Sequence, residues 1–114
     1  MSTVDTTLNL EGELGERELF ELGEHLARLA ARGHRRVVVD FSEVTHLDFR
    51  GIRPLLLKVE LFRDAGGDLK LSGVSSYLRA ILRAAGAHAA FDCYDHEAEA
   101  RAAFVRRASV VQSH

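Results

Sequence analysis

A chain of 114 residues, 46% apolar and 28% charged, has the length and make-up of one folded domain. It excludes wholesale disorder, since disordered chains are highly charged and poor in Leu, Val, Ile and Phe. A net charge of −2, with arginines scattered among acids, gives no basis for long-range attraction to nucleic acid or an anionic membrane.

Val4, Thr6, Leu8 and Leu10 alternate with polar residues, a period of two that predicts a half-buried first strand. Leu19, Leu22, Leu26 and Leu29 then recur at helical spacing from about Gly15 to Arg32, and Gly33 supplies a left-handed terminator. The β-branched run Val37, Val38 and Val39 predicts a strand covered on both faces. Ile52, Leu55, Leu56, Val59 and Phe62 return to helical spacing and stop at Gly66-Gly67. Leu69 and Leu71 predict a short strand, and Leu78, Ile81, Leu82 and Ala85 a third helix closed by Gly86. Phe91, Cys93 and Tyr94 suggest a last strand, after which Asp95 is expected to cap a fourth helix. Residues 107–114 lack periodicity and are expected to fray, leaving one domain over residues 1–106. The alternation predicts an α/β fold of four to five strands with four helices in a mostly parallel sheet, whose functional surface lies beyond the carboxyl ends of the strands.

Signatures of catalysis are weak. Cys93, the single cysteine, excludes an internal disulfide and fits a reducing compartment. The acidic stretch after it would raise a thiol pKa, so Cys93 reads as a packed strand residue. Histidines 25, 34, 46, 88, 96 and 114 never fall at a metal-ligand spacing with a supporting carboxylate; His46 and Asp48 lack a third ligand. No glycine-rich phosphate loop occurs. A bacterial receiver domain is similar in size, but receivers need an early acidic pair, a phosphoacceptor Asp and a late Lys. Here the lysines are Lys58, in a helix, and Lys70, in a strand. No enzyme activity, metal or cofactor is expected. No apolar run approaches the roughly 18 residues of a membrane span, and MSTVDTT lacks the features of a secretory signal. A cytoplasmic protein without membrane insertion or direct nucleic-acid contact is therefore expected.

The most specific stretch runs from Val37 to Val74. Asp40 ends a hydrophobic strand, Asp48-Phe49-Arg50-Gly51 opens a helix, and Gly66-Gly67, Leu69–Leu71 and Gly86 follow in order. This series resembles the STAS domain, the module of bacterial anti-sigma factor antagonists and of sulfate-transporter tails. Gly12-Glu13-Leu14 resembles that family's Gly-x-Leu-Asp, and the likeness extends over about Val4 to Phe104. Physically, Asp48 is suited to cap the second helix, a contribution of about 0.5–2 kcal/mol. Gly51 permits close backbone approach, and Pro54 is expected within the first turn.

The resemblance implies a protein-docking surface at Asp48, Phe49, Arg50, Gly51, Ile52 and Arg53. In antagonists of this kind the helix opens with Asp-Ser-Ser-Gly, and a partner kinase phosphorylates the second serine to release the partner. Arg50 stands at that position and Phe49 at the first serine, so neither carries a hydroxyl. The Asp of Gly-x-Leu-Asp is replaced by Gly15. Where a phosphate would bring about −1.5 to −2 charges, Arg50 brings a permanent +1. The expectation is a non-enzymatic interaction module in bacterial signalling that binds an anti-sigma factor or serine kinase, with that phosphorylation switch lost. The alternatives are a cytoplasmic STAS subunit of an ABC-type lipid or anion transport complex, and a nucleotide-sensing STAS domain. A homodimer is left open.

Overall fold

The computed structural model describes residues 4–112, with side chains described through residue 104. Among the described residues four strands alternate with four helices: β1 (Thr6–Leu14), α1 (Glu16–Ala31), β2 (Arg36–Leu47), α2 (Phe49–Asp64), β3 (Asp68–Ser72), α3 (Ser76–Ala84), β4 (Asp92–Tyr94) and α4 (Glu97–Gln112), with a short 3-10 turn at His88–Ala90 before β4. All strand pairs among the described residues are parallel, in the order β1-β2-β3-β4. Each crossover joins neighbouring strands, so connections of one hand place α1, α2 and α3 on one face. One apolar cluster accordingly joins Leu19, Leu22 and Leu26 of α1, Ile52, Leu55 and Val59 of α2, and Leu78 and Leu82 of α3 to Val37, Val39, Leu69 and Leu71 of the sheet.

The opposite face is covered by α4, whose Ala100 and Phe104 pack on Val38. Covering on both faces leaves Val37, Val38 and Val39 without solvent exposure, worth roughly 1.5–3 kcal/mol for each side chain. Lys70, level with Val38 in the β2–β3 register, lies on this second face. Its ammonium is sealed between Asp92, at 3.0 Å, and the Phe104 ring, 4.8 Å from Nζ. Helices α1, α2 and α3 stop before glycines with positive φ, at Gly33, Gly66 and Gly86, as the sequence predicts.

Three local expectations need correction. Pro54 lies sixth in α2, beyond the first turn, because the Asp48 cap fixes the helix start at Phe49. Pro54 is on the exposed side, where water can take the carbonyl of Arg50 that its missing N–H leaves free. Asp95 does not cap α4 but accepts from Arg79 Nη2 at 3.3 Å. At the start of α4, Glu99 reaches back to the backbone N–H of His96 at 3.0 Å. The strands β1 and β2 also run past the expected ends. β3 pairs with β2 only from Arg36 to Asp40, and beyond it β1 and β2 continue as a two-stranded ribbon to Leu14 and Leu47. Register shifts at Asn9/Glu11 and Gly12/Glu13 change its phase, so Phe41, Val44 and Leu47 are buried at a spacing of three. The backbone of α4 continues to Gln112; the tail expected at 107–114 falls on residues whose side chains lie outside the described set.

Candidate functional site

The ribbon delivers the chain to the start of α2. Its last rung is the Asp48 N–H donating to Leu14 O at 2.9 Å, so the second helix begins beside the first. Asp48 is extended, and its Oδ1 accepts from the Arg50 N–H at 2.9 Å, the cap expected from the sequence. The Arg50 guanidinium folds back onto the same carboxylate, with Nε 3.2 Å from Oδ1 and Nη2 2.9 Å from Oδ2. Glu16, the first residue of α1, stands 3.8 Å from Arg50 Nε. A cation at a helix N-terminus is ordinarily disfavoured; here two carboxylates compensate it.

Hydrogen bonds from the Arg50 side chain and then its backbone N–H, with the guanidinium charge, hold the Asp48 carboxyl at about 2. Because the folded-state value is depressed, this contribution is present above the ordinary carboxylate value of 3.8 and is lost as pH falls through about 2. A carbon-detected NMR titration of Asp48 is expected to give a midpoint near 2, rising toward 3.8 in Arg50→Gln. An unmoved midpoint in the variant would remove Arg50 as the cause.

The six residues named from the sequence divide into two groups. Phe49, Arg50 and Arg53 are exposed and Asp48 is half-buried, whereas Gly51 and Ile52 are buried. Gly51 does mark a close approach, but its visitor is α1: a Cβ there would lie 3.1 Å from Glu16 Cα and 2.8 Å from Leu19 Cδ1. Ile52 is turned into the core shared by the three helices. The reachable surface therefore narrows to Asp48, Phe49, Arg50 and Arg53. Phe49 points outward, 56% exposed, rather than folding onto the core.

Several neighbours of the loop escape sequence reasoning. Tyr77, in the first turn of α3, is 2.7 Å from His46 Nδ1 through its hydroxyl, with the two rings stacked at 5.8 Å. Nothing in the sequence links residues 46 and 77. Leu57 and Leu61 lie on the outward face of α2 with Phe49 and Arg53, at spacings of four; the buried stripe of the same helix masks them. Asp40, read only as a strand end, accepts from Ser72 Oγ at 2.8 Å and Ser42 Oγ at 2.5 Å. It ties β2 to β3 where the ribbon departs. Cys93 is partly buried and its thiol pKa is raised, chiefly by burial. Among the described residues no three His, Cys, Asp or Glu side chains group as metal ligands. No described helix is long and apolar enough to cross a membrane.

The family model described as "Mlab, STAS domain" matches residues 1–91. The chain belongs to the STAS domain family. A curated relative, BtrV of Bordetella bronchiseptica, described as a candidate anti-sigma factor antagonist, is 27% identical over 95 residues, covering 83% of this chain and 82% of its own. Among solved structures, the unphosphorylated anti-sigma factor antagonist SpoIIAA aligns with a TM-score of 0.66 at 18% identity, covering 93% of this chain and 94% of its own. The STAS domain of a SulP transporter from Vibrio cholerae aligns with a TM-score of 0.72 at 20% identity, covering 92% and 84%. Both structures share the STAS fold, and both sides of the family, signalling and transport, are represented.

Proposed function

We propose that this STAS protein is a non-enzymatic docking module of the anti-sigma factor antagonist type. It binds an anti-sigma factor or a serine kinase of that kind through Asp48, Phe49, Arg50 and Arg53. The observation that carries this reading is the loop itself, where an exposed aromatic and an exposed guanidinium stand on a rigidly capped helix start. Aromatics and arginine are the residues that most often anchor interfaces. The outward face of α2 extends the surface with Leu57 and Leu61. At position 50 the switch is absent: arginine offers no hydroxyl, and Thr45 is the one hydroxyl-bearing residue between 45 and 55. Occupancy would follow abundance rather than phosphorylation of this loop.

Two arms test the proposal. With a cognate serine kinase and ATP, mass mapping should find no phosphate on residues 45–55 of the wild type and phosphate on residue 50 of Arg50→Ser. Affinity capture from native lysate should recover a regulator with the wild type and at least tenfold less with Arg50→Asp. Phosphate within the wild-type loop, or equal recovery by both baits, overturns it. Recovery of a membrane ATPase in place of a soluble regulator would favour the transport role, to which the transporter STAS relative also belongs.

A further inference from the structure

We propose that the open edge of the sheet is a second docking site, which takes an extended, basic segment of another protein as an added strand. It lies apart from the Asp48–Arg53 loop and does not depend on that reading.

Among the described residues, strand β1 stands at the end of the sheet order, so β2 is its single neighbouring strand and its outer main-chain groups have no strand partner. Proteins usually guard such an edge by keeping it short or by placing lysine, proline or other charged residues on it. The opposite edge obeys this rule, since β4 has three residues. β1 has nine, and Thr6–Leu10 contains neither a charge nor a proline. Guarding begins beyond Asn9, where Glu11, Glu13 and the register shifts disturb the edge.

Helix α1 runs back alongside this edge and leaves a groove of about 550 Å³. Leu8, Leu10 and Leu22 form its floor. Leu8 and Leu10 are half-buried against the core, so their outer flanks remain open. An edge strand with a helix beside it is the arrangement in which an extended peptide adds to a sheet: main-chain bonds hold it, and alternate side chains select it.

Charge selects the occupant. Glu11 and Glu21 line the groove, and neither forms a salt bridge among the described residues. Arg28 lies toward the other end, near the start of β1. Among the lining residues three acids, Glu11, Glu18 and Glu21, stand against His25 and Arg28, so a segment alternating small apolar residues with lysine or arginine matches the acidic excess. A second copy of this chain does not: antiparallel pairing about Leu8 would set Asp5 of each chain opposite Glu11 of the other, placing like charges together twice.

The test uses the full chain, labelled with nitrogen-15. The probe is an acetylated heptapeptide alternating valine or threonine with lysine, beside its counterpart with glutamate for lysine. The expected result is amide shifts concentrated at Thr6–Leu10 and the facing side of α1, with affinity for the basic peptide at least tenfold above the acidic one. Glu11→Lys with Glu21→Lys should reverse that preference, while Arg50→Asp should leave it unchanged. Equal affinity for both peptides, shifts centred on α2, or no shifts at millimolar peptide would overturn the proposal. So would a concentration-dependent dimer in sedimentation that Leu8→Lys abolishes, which would give the edge to a second copy.

Discussion

Gly73→Ala should lower the thermal midpoint by about 10 °C or more, reflecting a loss of about 2–5 kcal/mol. Two costs coincide at this residue. Its φ of +68 lies in the left-handed region, where a side chain costs roughly 1–2 kcal/mol. A Cβ would also stand 2.8 Å from Ser42 N and 2.9 Å from Ser42 Cα, backbone atoms that cannot swing aside. Gly73 directly follows β3 at the point where the ribbon leaves the sheet, and its own N–H donates to Tyr94 O at 2.9 Å. Gly86→Ala is the internal control. Its φ is +74, but nothing lies within 4 Å of the added carbon, so only the conformational cost should appear. Paired melting curves separate the two contributions; equal losses would mean that the close approach at Ser42 is soft.

The buried lysine gives the second large effect, with opposite signs at its two ends. Lys70 has no exposed surface, and its ammonium is held by Asp92, by Asp68 at 3.9 Å and by the rings of Phe104 and Tyr94. Asp92→Ala leaves a sealed cation short of its nearest counter-charge, and breaking such a pair costs about 3–5 kcal/mol. The half-exposed position of Asp92 and the survival of Asp68 reduce the expectation to about 2–3 kcal/mol. Lys70→Met removes the need for compensation and fills a similar volume, so it should be neutral or stabilising, as burying an apolar replacement often is. Chemical denaturation of both variants checks this. If Lys70→Met loses as much as Asp92→Ala, the pair stabilises the fold directly and its desolvation cost is small.

Much of the fold was legible because its determinants are local. The valine run at 37–39, the leucine spacing of α1 and the terminating glycines each act within a few residues, and their elements formed where expected. The ribbon was hidden for a physical reason: a bulge resets the side-chain phase, so Phe41, Val44 and Leu47 present neither a strand period nor a helical one. Asp95 has the right chemistry for a cap, but Arg79, distant in sequence, claims it. At the candidate site the sequence supplied the cap at Asp48 and the arginine at position 50. It could not supply Glu16 or Tyr77, because only the packing of α1 and α3 beside the ribbon brings them to the loop. Nor could it separate Phe49 and Arg50, which face out, from Gly51 and Ile52, which face in, without knowing where α1 lies.

Asp48, Glu16 and Arg50 together carry one net negative charge at the joint where two helices begin. Exchanging the arginine for serine would double that charge, and esterifying the serine would take it to about −3.5 to −4. A single codon thus stands between a nearly balanced surface and one that would repel any acidic visitor. Retrofitting the hydroxyl would create an electrostatic brake far larger than the hydroxyl alone suggests, because the counter-ion leaves in the same stroke.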